Sequence, residues 1–180
     1  MNILAIDTCT EVASVTLYSA GVRTSRALTN VEKSSGYILK LCDEVFYESG
    51  KQLKEVDLIA YSKGPGAFTG VRMCIGVVQG LSLSCSIPTI GFSTLELLGF
   101  RASKILKVEK IAVALDARMG EVYWAVYDHG VLSNMKICSP EDVDNLGADF
   151  VGVGTGWGTH NDKLHIASNI KITDLTIYPK

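Results

Sequence analysis

The chain has 180 residues, 47% of them apolar, with 17 basic against 19 acidic side chains and a net charge of −2. That is room for one ordinary domain or two small ones with a proper core, and it excludes a protein that grips nucleic acid unaided, which needs a basic face. Five cysteines (Cys9, Cys42, Cys74, Cys85, Cys138) without a CxxC pair exclude a disulfide framework and suit a reducing cytosol, and no uncharged apolar run reaches the ~20 residues of a membrane span. The opening MNILAIDT lacks the basic n-region of a signal peptide, so a soluble, cytoplasmic protein is expected.

Residues 2–8, 11–19 and 22–30 predict three strands. Ala13, Val15 and Leu17 alternate with Ser14, Thr16 and Tyr18, the period of two of a strand with unlike faces. Ala20-Gly21 suits a hairpin turn. A helix follows over 35–49, with Ile38, Leu41, Cys42, Val45 and Phe46 as its apolar stripe and Gly50 as its stop. Leu58-Ile59-Ala60 opens a further strand, which Gly64-Pro65-Gly66 breaks. Thr69 is placed to N-cap a helix over 70–85, apolar at Val71, Cys74, Ile75, Val78 and Leu81. Strand, glycine loop and helix then leave backbone N–H groups for a polar partner. Gly76, Gly80 and Ser84 recur on one face of that helix, although a helix interior normally avoids Gly by about 1 kcal/mol. They either leave a groove for another backbone or face the chain's own sheet. Arg72 opposes the macrodipole of the first turn by roughly 0.3–1 kcal/mol; it answers a carboxylate or a partner, or is indifferent at the surface. A strand over 87–92 and a helix over 94–103, headed by a Ser93–Glu96 capping box, complete the first half. The mildly basic segment Arg101–Lys110 predicts the boundary, dividing the chain into 1–103 and 104–180.

After that segment the chain starts again. Ala114-Leu115-Asp116 repeats Ala5-Ile6-Asp7 and Gly130 repeats Gly21, both at an offset of 109, which also sets Val122, Trp124 and Val126 on Ala13, Val15 and Leu17. The shared offset predicts a duplicated half-domain. The second copy continues with a strand at 131–138, a short helix from Pro140 and a strand at 149–153 that runs into Gly152, Gly154 and Gly156.

The chemical motifs are incomplete. Gly64 to Gly70 lacks the Lys of a Walker loop, and Trp157 stands where a dinucleotide fingerprint after Gly152 and Gly154 needs its third Gly, leaving an ordinary strand-to-loop turn. Asp7 and Asp116 each end a strand, as a metal–phosphate cleft or a common turn would have them. His129, His160 and His165 lack ligand partners at metal spacing and read as exposed loop residues. No GxSxG elbow is present, and Cys9, without a neighbouring base, reads as a buried thiol.

In order, ILAIDTCTEVASVTL, GPGAFTGVRMCIGVVQGLS, IGFSTLELL, LDARMGEVYWAVY and VGTGW resemble the motifs of the TsaB (YeaZ) family over nearly the whole chain. The resemblance implies an α/β, duplicated actin/Hsp70/sugar-kinase-like (ribonuclease H-like) fold of two small domains, with mixed sheets and flanking helices. It implies a cytoplasmic, non-catalytic subunit of the bacterial machinery that places threonylcarbamoyl on N6 of adenosine 37 in tRNAs reading ANN codons. Such subunits pair with the catalytic homologue TsaD and form homodimers alone; the ATPase TsaE joins them, and a separate enzyme supplies threonylcarbamoyl-adenylate. No cofactor is expected on this chain by itself, ATP or ADP entering only with the assembled complex, and tRNA is met through that complex. The family's pairing surface maps onto the helices at 35–49 and 70–85, here Ile38, Leu41, Cys42, Val45, Arg72, Met73, Gly76, Val77, Gly80 and Ser84.

The chain departs from the family pattern in several places. Lys33-Ser34-Ser35-Gly36-Tyr37 lacks the usual His, and Ala67 replaces the Ser of GPGSFTG. The HxxxH metal site of the catalytic homologue is absent, so no metal is carried over. Relatives continue past the Tyr-Pro of the tail into a helix that returns to the first domain, so the second half reads as shortened. The rival reading is a small-molecule kinase of the same fold, with Asp7 organising a metal and Asp116 as base. A protease reading, prompted by older names of relatives, has no nucleophile–base pair behind it.

Overall fold

Leu4 and Ile6 alternate with Ile3, Ala5 and Asp7 along β1 (Ile3–Asp7), and that alternation decides which face of the first sheet is buried. The computed structural model describes residues 1–29 and 37–177. In it β1 is the centre of a five-stranded sheet ordered β3-β2-β1-β4-β5, built with β2 (Val12–Ser19), β3 (Val22–Thr29), β4 (Leu58–Ser62) and β5 (Thr89–Phe92). The first three strands are antiparallel neighbours, while β4 and β5 run parallel to β1. Leu4 stands between Leu17 and Ile59, and Ile6 beside Val15. That row is covered by α1 (Ile38–Ser49) and α2 (Phe68–Cys85) through Ile38, Leu41, Cys42, Val45, Cys74 and Val78. The expected start of α1 at 35–36 lies outside the described residues, as does the tail Tyr178-Pro179-Lys180; Gly50 ends α1 in the left-handed region at φ +65.

The second unit repeats this plan. β6 (Lys110–Arg118), β7 (Glu121–Asp128), β8 (Val131–Cys138), β9 (Val151–Val153) and β10 (Ile172–Asp174) form a sheet ordered β10-β9-β6-β7-β8. The offset of 109 carries β2 and β3 onto the observed bounds of β7 and β8. Even the hairpin turns agree, Ala20-Gly21 at φ +50 and +83 matching His129-Gly130 at +47 and +86. One register differs. Asp7 opposes Ser14, but Asp116 opposes Val122 rather than Tyr123, and a bulge between Asp116 and Arg118 takes up the residue. Two mixed sheets of this order, each with flanking helices, constitute the duplicated actin-like, ribonuclease H-like fold.

Both faces of the second sheet are covered. α3 (Thr94–Leu106) brings Leu95, Leu98 and Ala102 onto Ile111, Val113 and Tyr127. On the opposite face α4 (Thr155–Thr159) and α5 (Asn161–Ser168) bring Trp157 and Leu164 onto Ala112, Ala114 and Trp124. The division between units therefore falls after Thr94, not near residue 103. The apolar stripe of α3 belongs to the second core, and a basic segment is a poor marker of a boundary when its helix is packed on one side. Ser93 does not cap α3: its hydroxyl is buried without a hydrogen-bond partner among the described residues. Thr94 makes the local bonds instead, from its N–H to the Gly64 carbonyl at 2.9 Å and through its hydroxyl to Ser62 at 2.8 Å. The short helix expected from Pro140 is a single 3-10 turn, Pro140–Asp142.

Candidate functional site

The glycine loop lies hard against the end of β1. The Ala67 N–H donates to the Cys9 carbonyl at 2.9 Å, and the Thr8 hydroxyl donates to the Gly70 carbonyl at 2.6 Å. A Cβ on Gly66 would stand 2.0 Å from the Cys9 carbonyl oxygen, and one on Gly70 2.0 Å from that of Thr8. Glycine is required at both places because only its backbone can come this close. The chain consequently turns into α2 two residues earlier than Thr69 would allow as a cap. Ala67 is the N-cap residue and makes no side-chain cap bond. The Ala67 N–H, expected to face a polar partner, is spent within the fold.

Asp7 is sealed beneath this junction, 6% exposed. One carboxylate oxygen accepts the Cys9 N–H at 2.8 Å; the other is buried with no partner among the described residues. Burial pushes its pKa up to about 6, the bond from the Cys9 N–H working against the rise. Cys9 and Cys74 are buried beside it, their thiols directed to the carbonyls of Ser62 and Ile6. The hydrogen bond from Cys9, together with burial, raises the Cys74 thiol far above its ordinary value. The same bond lowers the Cys9 thiol, but both thiols are buried and turned to backbone carbonyls, as packing side chains are.

Asp116 repeats the turn in the second unit, its carboxylate accepting the Arg118 N–H at 2.9 Å as Asp7 accepts that of Cys9. Its other contacts are polar: the Arg118 guanidinium at 3.5 Å and His160 Nε2 at 3.9 Å, with its own N–H donating to the Thr155 hydroxyl at 3.1 Å. Gly154, at φ +103, has the Ala114 carbonyl 2.4 Å from where a Cβ would be, and Gly152 clears the Trp157 ring. This glycine run is a packing turn, but it leads from β9 straight into α4, with Gly154 as the N-cap residue, and not into the loop expected. Only His129 is an exposed loop histidine. His160 and His165 are half-buried, His165 standing 5.4 Å from the Trp157 ring, because α4 and α5 fold back onto the sheet. Among the described residues no group of three His, Cys, Asp or Glu could hold a metal ion.

The open surface of the first unit is α2. Its mean hydropathy is 1.3 over 18 residues, yet only 17% of it is buried. Gly70, Cys74 and Val78 face the core, with Met73, Val77 and Leu81 packed at its edge, whereas Ile75, expected in the buried stripe, is half-exposed. Phe68 (73% exposed) and Leu83 (82%) lie on the opposite side with Arg72, Gly76, Gly80 and Ser84. A Cβ on Gly76 or Gly80 would meet nothing within 4 Å, so these glycines do not face the chain's own sheet. Arg72 answers no carboxylate among the described residues; its guanidinium lies over the Phe68 ring, 3.2 Å from the centroid. Of the residues assigned to a pairing surface, Ile38, Leu41, Cys42 and Val45 are in the wrong place, at 1%, 4%, 2% and 0% exposure. The apolar stripe that suggested them is the one α1 uses for its own core; its outer side presents Leu39 and Tyr47.

The chain resembles two curated proteins, both called "tRNA threonylcarbamoyladenosine biosynthesis protein TsaB". The Escherichia coli protein is 38% identical over 167 residues, covering 87% of this chain and 72% of that protein. The Haemophilus influenzae protein is 34% identical over 176 residues, covering 89% and 75%. The solved structure "YeaZ from Pseudomonas aeruginosa" superposes with a TM-score of 0.88 at 36% identity, over 99% of this chain and 85% of that one. A family model described as "TsaD: tRNA N6-adenosine threonylcarbamoyltransferase" matches residues 29–177. By these likenesses the chain belongs to the TsaB (YeaZ) family of tRNA threonylcarbamoyladenosine biosynthesis proteins.

Proposed function

We propose that the chain is a non-catalytic partner subunit of the bacterial complex that forms N6-threonylcarbamoyladenosine at position 37 of tRNAs reading ANN codons. It pairs with a TsaD-like catalytic subunit through the outer side of α2, and with a second copy of itself when alone. The observation that carries this reading is the glycine stripe of α2, apolar around its rim and open above Gly76 and Gly80. Glycines at a spacing of four admit another helix at close range, as they do wherever small residues line a helix pair. A membrane does not suit this helix. Its inner side is committed to the core through Cys74 and Val78, and spanning would withdraw both. A TsaE-like ATPase, tRNA and any ATP or ADP meet the chain in the assembled complex, in the cytoplasm.

The kinase reading is the weaker one. Asp7, which it needs as a metal-organising residue, has its free oxygen buried. Incubated with labelled ATP, the isolated chain is expected to show no turnover; hydrolysis that disappears in Asp7→Asn and Asp116→Asn would reverse the assignment.

The pairing test is Gly80→Val. A branched side chain that holds two helices apart costs about 1.4 kcal/mol at the low end of overpacking, a tenfold loss of affinity. A two-fold homodimer uses the patch twice, so its dissociation constant is expected to rise about a hundredfold against tenfold for the TsaD-like complex. Sedimentation of each mixture measures both, and the variant should melt no lower than wild type because a Cβ at position 80 meets nothing. A destabilised monomer that still associates normally would remove α2 from the interface.

A further inference from the structure

The basic segment at the end of α3 is not used by the pairing face. Four of the ten residues from 101 to 110 are basic and one is acidic, in a chain of net charge −2. A pocket of about 390 Å³ opens there, lined by Lys104, Lys107, Glu109 and Tyr127 and by His129 and Gly130 of the β7–β8 turn. Its carboxylate is turned to the imidazole and not to either lysine: His129 lies 2.7 Å from Glu109 through Nε2 and 2.5 Å from Asp128 through Nδ1. Lys104 and Lys107 are both exposed, and neither forms an ion pair among the described residues. Complementing the helix dipole accounts for Lys104, which sits in the last turn. It does not account for Lys107, which lies past the helix end at φ +56, a conformation costing a non-glycine residue about 1 kcal/mol. A glycine or asparagine would make that turn more cheaply, yet the position holds an ammonium beside that of Lys104.

We propose that Lys104 and Lys107 form a phosphate-contact site for the backbone of the RNA bound by the assembled complex. Lysine binds phosphate as a point charge and needs no fixed fork, which suits a shallow pocket and contacts that position the RNA without reading its sequence. Two such contacts are too few to hold RNA alone, in keeping with the negative net charge. The proposal rests on the subunit role argued above.

The test uses this chain assembled with its TsaD-like subunit and a tRNA that reads ANN codons. Lys104→Gln/Lys107→Gln keeps a polar side chain, one atom shorter, and removes both charges; Lys54→Gln/Lys171→Gln, at exposed sites elsewhere, removes the same charge. Each phosphate contact contributes about 0.7–0.9 to the slope of log affinity against log salt. The 104/107 variant is therefore expected to bind tRNA about 10- to 30-fold more weakly at 150 mM salt, with a slope shallower by about 1.4–1.8. The control pair should bind like wild type, and both variants should assemble normally with the catalytic subunit. Unchanged affinity and slope would overturn the site. Loss of assembly with retained tRNA affinity would show that the pocket meets an acidic protein surface instead. Failure of the wild-type chain to assemble would overturn the subunit role and this site with it.

Discussion

Gly66→Ala is expected to destabilise the first unit by at least about 3 kcal/mol, the upper end of the usual cost of overpacking. The new Cβ would lie 2.0 Å from the Cys9 carbonyl oxygen, 2.9 Å from its carbon and 3.0 Å from the Cys9 Cβ. The first two are backbone atoms that follow directly on β1, which is paired on both sides by β2 and β4. No flexible side-chain end can give way. Gly70→Ala makes the same collision with Thr8 and should cost as much. For a unit of this size, 3 kcal/mol lowers the melting midpoint by roughly 12–24 °C. Gly76→Ala is the internal comparison, in the same helix but over open space. It should leave the fold intact and gain up to about 1 kcal/mol from helix propensity. Thermal melting of the three variants decides the matter. A Gly66→Ala protein that melts like wild type would mean the glycine loop is not held against β1, and the sealed state of Asp7 would fall with it.

That contrast within a few residues also shows how far the sequence could be read. GPGAFTGVRMCIGVVQG presents Gly66, Gly70, Gly76 and Gly80 as one kind of residue. Period alone separates the last two as a stripe, and the structure leaves that stripe open. Nothing local announces that Gly66 and Gly70 touch a backbone some sixty residues earlier, because the contact is made by the sheet and not by the segment. The strands were legible because their pattern is local. The alternation in β2 and the offset that repeats it in β7 fix both hairpins nearly to the residue. The pairing role given to Ile38, Leu41, Cys42 and Val45 failed for the complementary reason. An apolar stripe marks a buried face without saying what buries it, and in α1 it is the chain's own sheet. The misplaced boundary has the same origin. Leu95, Leu98 and Ala102 show that α3 packs on something, but only the fold shows that it packs on the strands after it. The site is thus legible where a residue is odd in its own element, as Gly80 and Arg72 are. It is illegible where its meaning depends on a distant partner, as with Asp7.

Asp7→Asn is expected to stabilise the chain at neutral pH by up to about 3 kcal/mol. Burial holds the carboxyl's pKa at about 6, against 3.8 for the ordinary group, and a pKa difference of one corresponds to about 1.36 kcal/mol of preference between the two protonation states. Because the folded value is the higher one, the fold favours the protonated acid. Its contribution is fully present below the unfolded pKa and is lost as pH rises through about 6. At pH 7 the wild-type chain therefore carries a buried negative charge with one oxygen unpartnered. Asparagine removes the charge and keeps the oxygen that accepts the Cys9 N–H. Its amide has no acceptor at the other position, which offsets part of the gain. Urea unfolding of both proteins from pH 4 to pH 8 should give curves that diverge between about pH 4 and pH 6 and then run parallel. Curves parallel over the whole range would show that the carboxyl titrates as an ordinary aspartate. The same variant bears on function. Because the carboxylate is buried, the modification activity of the assembled complex should survive Asp7→Asn unchanged. A more stable subunit that abolishes that activity would mean the end of β1 takes part in the chemistry, and the non-catalytic reading would not stand.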